Sequence, residues 1–157
     1  MRLLCFTVDD HRYGIASDVV VEIVRAVAVT PLPGSTSVIA GVIDVRGTIV
    51  PVFDLRARFT GTTRAVDPAD HFILARTPSR TAALHVDRVQ DLVDVEEESA
   101  SGIQAQVPTA QYLAGAVTLP DGMVFIHDVA RFLSSAEADV LESALAAQAT
   151  PAPAPHA

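Results

Sequence analysis

Apolar residues in this chain gather in short runs, separated at close intervals by polar or Gly/Pro-bearing breaks. Residues 3–8 form the first run, and 13–16 answers it across the polar turn Asp9-Asp10-His11-Arg12, which predicts a β-hairpin. Ser17 and Asp18 then precede 19–27, a run dense in β-branched residues. One of the two is expected to cap a single helical turn before a strand around 23–27. Thr30-Pro31-Leu32-Pro33-Gly34 cannot continue a ladder and marks a bend. Runs at 71–76, 81–86 and 87–95 read as strands, with 60–70 and 96–108 as polar loops. Only 136–149 carries a helical stripe, made by Val140, Leu141, Ala144 and Leu145. Its acids Glu137 and Asp139 sit in the first turn, where they suit the helix dipole.

The two densest runs, 38–45 and 48–53, flank the pair Arg46-Gly47, the signature of a tight hairpin in which Gly47 supplies a positive φ. Asp54 follows as an N-cap for a short helical turn carrying Leu55, Arg58 and Phe59. Neither run alternates cleanly, so both faces are expected to be sheltered, one by the core and the other by a second subdomain or a partner. Pro51 has no N–H to donate and is expected at a sheet edge or a bulge. Among Val42, Ile43, Ile49 and Val50, some are expected to line a groove for an amphipathic helix.

The pattern then repeats. A shift of 69 places Asp18 on Asp87, Val20 on Val89, Glu22 on Asp91 and Ile23 on Leu92. A shift of 74 places Gly41 on Gly115, Val50 on Val124, Val52 on Ile126 and Asp54 on Asp128. Two copies of one small β unit are implied, and at least ten short strands fit a pair of small barrels. The halves are expected at 2–60 and 70–133 of a domain spanning 2–134, followed by the helix at 135–149 and an extended Pro/Ala tail at 150–157.

Composition narrows the function. The chain has 157 residues, of which 50% are hydrophobic and 19% charged, enough for a globular core. A net charge of −8 argues against nucleic acid or an anionic membrane surface as partner. No apolar stretch reaches the roughly 20 residues of a membrane span. Met1-Arg2 leads straight into strand-like sequence, so a cytoplasmic protein is expected. Cys5 is the single cysteine and reads as a buried hydrophobe in the first strand.

Candidate chemistry is thin. His85 and Asp87 share a strand face, and His127 adjoins Asp128, yet no His-x-x-x-His or Cys-x-x-Cys spacing supplies a ligand set. In the duplication, His127 and Asp128 fall on Phe53 and Asp54, which are structural positions. Ser17, Ser79 and Ser99 lack a nucleophile-elbow context, and no Gly-rich phosphate loop is present. No catalytic residue, metal or cofactor is expected.

The stretch Gly41-Val-Ile-Asp-Val-Arg-Gly-Thr-Ile-Val-Pro-Val-Phe-Asp-Leu-Arg56 resembles the signature of CheW-type chemotaxis domains, usually Gly-Val-x-Asn-Leu-Arg-Gly-x-Ile-Val-Pro-Val-x-Asp-Leu-Arg. Flanking segments agree: Tyr13-Gly14-Ile15, Val20-Val21-Glu22-Ile23 and Tyr112-Leu113-Ala114-Gly115. The resemblance implies a mainly β fold of two intertwined SH3-like five-stranded barrels with short helices and a C-terminal helix. It implies a non-catalytic adaptor that couples the cytoplasmic tip of methyl-accepting chemoreceptors to the regulatory domain of a CheA-type histidine kinase. Carried over residue by residue, it assigns partner contact to Val20, Glu22, Gly41, Arg46 and Gly47, with Glu22 and Arg46 as an ion pair beside the groove. The apolar surplus of the hairpin adds Val42. Asp44 replaces the usual Asn and brings a second carboxylate near Arg46. The segment 96–111 lacks the basic and aromatic residues that often assist a second kinase contact, which weighs against ring-type array closure. Two rivals stand beside this reading: a CheW-like regulatory domain of a CheA kinase, and a small-molecule-binding or metal-dependent double barrel.

Overall fold

In a computed structural model that describes residues 1–95 and 113–149, strands form where the apolar runs predict them. They are β1 (Arg2–Val8), β2 (His11–Ala16), β3 (Val20–Arg25), β4 (Ile39–Val45), β5 (Thr48–Asp54), β6 (His71–Arg76), β7 (Thr81–Val86), β8 (Arg88–Asp94), β9 (Leu113–Leu119) and β10 (Gly122–His127). Helix α1 (Leu55–Thr60) follows β5, and α2 (Ser135–Ala149) follows β10 after a 3₁₀ turn at Val129–Arg131. The expected polar loop at 96–108, the segment 96–111 and the tail at 150–157 lie outside the described residues.

One five-stranded sheet has the order β8-β1-β2-β10-β9, the other β3-β6-β7-β5-β4. Exchanging β1 with β6, β2 with β7, β3 with β8, β4 with β9 and β5 with β10 turns one order into the other. That is the topology the internal repeat predicts. The two sheets are intertwined, because β3 leaves β2 to pair with β6, while β8 leaves β7 to pair with β1. Each sheet contains one parallel pairing, β2 with β10 and β5 with β7.

Three apolar clusters explain the runs that do not alternate. Phe6, Ile15, Phe53, Leu55, Ile73, Leu84 and Phe132 fill the seam between the sheets. Leu3, Cys5, Val117, Val124 and Ile126 fill the first barrel, and Ile43, Val50, Val52, Phe72, Leu74 and Ala83 the second. Successive residues of β1 therefore enter two different cores, and a strand covered on both sides reads as continuously apolar. The second face of the central hairpin, expected to meet a subdomain or a partner, is covered by the chain itself. Ile43 and Val50 belong to that interior; Ile49, half exposed, does not.

One local expectation holds in part and one needs correction. Pro51 is not on an edge strand, since β5 lies between β7 and β4, but it does lie next to an irregularity in the pairing with β4, between Ile39 and Gly41. Its neighbour across β4 is Val42, which spends both backbone groups on Thr30 (2.8 and 2.9 Å), and the ladder to β7 begins only at Val52. No N–H is needed at position 51. Neither Ser17 nor Asp18 caps the 3₁₀ turn Ser17–Val19; the residue at the cap is Ala16, with no side-chain bond. The cap expected at Asp54 does form, and two further caps join it. Asp54 accepts from the Ala57 N–H (3.0 Å), and its repeat mate Asp128 accepts from the Ala130 N–H (3.1 Å). Ser134 and Glu137 close a reciprocal capping box on α2, at 2.9 and 3.2 Å.

Candidate docking site at the tip of the central hairpin

The β4–β5 hairpin turns through two residues, both in the left-handed region, Arg46 at φ 49° and Gly47 at φ 86°. A two-residue turn matching the twist of its strands requires this geometry, which an arginine adopts only at some cost. Asp44 offsets it, because its carboxylate accepts the Gly47 N–H at 2.7 Å. Asp44 therefore closes the turn, and the choice of carboxylates expected for Arg46 falls to Glu22. Arg46 Nη2 and Nη1 donate to the two oxygens of Glu22 at 2.6 and 3.4 Å. The hydrogen bond and charge of Arg46 lower the Glu22 carboxyl below its ordinary value, and Glu22 raises the guanidinium. The Arg46 side chain remains 73% exposed, so its fork is held in one orientation while facing solvent.

Around this pair the second barrel opens in a groove of about 310 Å³, lined by Val21, Val45, Thr48, Val50, Leu74 and Thr81. The register of β3 against β6 slips by one residue between Val20 and Glu22, and exposure along β3 alternates, with Val21 and Ile23 facing out. Val21, Ile23 and Ile49 are exposed by 49%, 41% and 50%. Of the seven residues expected to contact a partner, Glu22, Asp44, Arg46 and Gly47 meet at this rim. Val20 and Val42 are half-buried against the seam, and Gly41 is buried. Sequence reasoning missed Val21 and Thr81; in β3 apolar residues occupy both the outward and the inward positions, so residue type does not show which face Val21 takes.

A model of the CheW-like domain matches residues 2–137. The chain belongs to that family. Over 144 residues it is 30% identical to the chemotaxis protein CheW of Klebsiella aerogenes, covering 90% of this chain and 87% of that one. Protein FrzA of Myxococcus xanthus is 36% identical over 91 residues, covering 58% of this chain and 57% of its own. Among solved structures, the scaffolding protein TtCheW of Thermoanaerobacter tengcongensis aligns with a TM-score of 0.76 at 26% identity, over 87% of this chain and 89% of that one.

This CheW-like chain carries a second rim on its other barrel, related to the first by the repeat. The shift of 69 carries Ile23 onto Leu92, and the shift of 74 carries Ile49 onto Met123. Leu92 and Met123 are each 55% exposed. Charges at this rim are placed differently. Asp91 takes the position of Glu22, and Arg12 of β2 takes that of Thr81. Arg12 donates to Gln90 at 2.9 Å and to Asp121 of the β9–β10 turn at 2.7 Å.

The histidine and acid pairs have structural partners. His85 bonds Asp70 at 2.7 Å, in the interior, rather than Asp87. Asp87 instead receives Arg56 and Arg64, and Arg56 also reaches Asp9 at 2.9 Å, so the cluster ties the β1–β2 turn to α1. His127 lies edge-on to Phe59 and Phe132, with ring centroids 5.3 and 5.7 Å away. Among the described residues no group of three His, Cys, Asp or Glu is placed to hold a metal ion, and no helix is long and apolar enough to cross a membrane.

Proposed function

We propose that this chain is a non-catalytic cytoplasmic adaptor that couples the tips of chemoreceptors to the regulatory domain of a CheA-type histidine kinase. Family membership supports the chemotaxis role, and alignment over 87% of a CheW protein favours an adaptor over a domain of the kinase itself. The observation that carries the reading is the pairing of exposed apolar residues under the repeat. Ile23 and Ile49 on one barrel correspond to Leu92 and Met123 on the other, so the molecule presents two separate rims to two partners. At the first rim apolar contact supplies affinity, and the clamped Arg46 fork supplies register. Such coupling works by differential contact with partner states and requires no chemistry.

The test is capture of a receptor-tip fragment and of a kinase regulatory fragment, separately, by the intact chain. Ile49→Ser and Leu92→Ser are each expected to lose one capture and keep the other. Capture of neither fragment by the unaltered chain would reject the adaptor reading.

A further inference from the structure

Helix α2 is fastened to the body by few contacts. Arg58 Nη2 donates to Glu137 at 2.6 Å, and Arg80 Nη2 reaches both Glu142 oxygens at 2.5 Å. Of the helix, Leu141 and Ala144 are buried, while Val140 and Leu145 are half-buried, Leu145 against the core. Beside them runs a half-open cleft of about 170 Å³ lined by Phe53, Val129, Leu133 and Leu141. Fixing fifteen backbone residues costs conformational entropy, and few buried side chains help the helix's own hydrogen bonds to offset it. A segment held this way opens on its own, below global unfolding.

The seat that α2 would vacate is preformed. Phe53 stacks on Phe132 with centroids 4.4 Å apart, and the Arg58 guanidinium lies 5.2 Å over the Phe132 ring. Arg80 stands on the tight β6–β7 turn, where the Thr77 hydroxyl donates to the Arg80 carbonyl at 2.6 Å. An apolar floor flanked by two cations selects a helix with acids spaced as Glu137 and Glu142 are, and a Leu-and-Ala face between them. The same turn leads directly into Thr81, a wall of the groove beside Arg46. We propose that α2 is a displaceable cover, and that its seat accepts an acid-bearing amphipathic helix from a partner, next to the hairpin rim.

Two measurements on the full chain test this. In amide hydrogen exchange of the unaltered protein, α2 is expected to exchange at least about tenfold faster than β6 and β7. A labelled peptide of residues 134–147 is then titrated into the Glu142→Arg variant, in which Arg80 repels the resident helix. It is expected to bind at least about tenfold tighter than to the unaltered chain, and tighter than a peptide with Gln at both acid positions. Exchange of α2 as slow as that of the sheets would overturn the proposal, whatever the variant does. So would a folded variant whose α2 exchanges freely yet takes up no peptide.

Discussion

Gly41 lies directly beneath Thr30: a Cβ at position 41 would fall 2.2 Å from the Thr30 carbonyl oxygen and 2.7 Å from a Val29 methyl. The closeness follows from Thr30 bridging to Val42 on the next residue, in both directions, with the backbone at Gly41 in a conformation of φ +152°. The signature glycine of the hairpin therefore answers to the segment crossing over it.

Gly41→Ala is accordingly expected to cost about 2–4 kcal/mol, as overpacking and backbone strain combine. Urea unfolding measures it. A loss below about 1 kcal/mol would mean that the Thr30 crossing moves aside freely.

Arg46 and Glu22 are exposed, so their pair is expected to add little to stability and much to recognition. Arg46→Ala should leave the unfolding free energy within about 0.5 kcal/mol of the parent and weaken partner capture about tenfold. Arg46→Lys keeps the charge but loses the planar fork, and should restore only part of the capture. Full restoration by lysine would show that charge alone matters.

Acid stability should depend on Asp70. Burial pushes its carboxyl upward, but hydrogen bonds from Arg64, from His85 and from the Asp67 backbone outweigh burial and hold it far below the usual carboxylate range. A carboxyl depressed in the folded state stabilises above its unfolded value, about pH 3.9, and loses that contribution as pH falls toward the folded value. Asp70→Asn is expected to destabilise by about 3 kcal/mol at neutral pH, because buried His85 loses its charged partner and Arg64 keeps only Asp87. The gap to the parent should narrow steadily below about pH 4. Unfolding curves of both proteins across the acid range would decide it; a gap independent of pH would remove Asp70 ionisation as the cause.

Caps at equivalent points of the repeat offer a matched comparison. Asp54→Ala and Asp128→Ala each remove one carboxylate bond to a backbone N–H, and each is expected to cost about 1 kcal/mol in thermal unfolding. Asn at either site should recover most of the loss, since its side-chain oxygen accepts the same bond.

The sequence showed the strands, the Arg46-Gly47 turn, the Asp54 cap and the exchange symmetry of the two sheets, because each rests on local residue types or on the repeat. It also pointed to Glu22 and Arg46 as a pair, through the family signature. It could not choose between an edge and a bulge for Pro51, because whether a strand lies at an edge depends on where β7 joins, far along the chain. It did not locate the outward position of Val21, because β3 carries valine or isoleucine on both its faces. Nor did it pair His85 with Asp70, since the spacing favoured Asp87 and only the folding of the 60–70 segment brings Asp70 underneath.

The order in which the strands are threaded constrains how the protein can be made. As the chain leaves the ribosome, β3 has no neighbour until β6 appears, and the flank of β1 stays bare until β8 arrives. The first sheet cannot be completed before β10 slots in beside β2, when nearly the whole domain has been synthesised. Such late, distant pairings slow folding and leave bare strand edges in the nascent chain. If the chain were cut between β5 and β6 and the pieces parted, each would carry strands of both sheets and complete neither, so the two barrels stand or fall together.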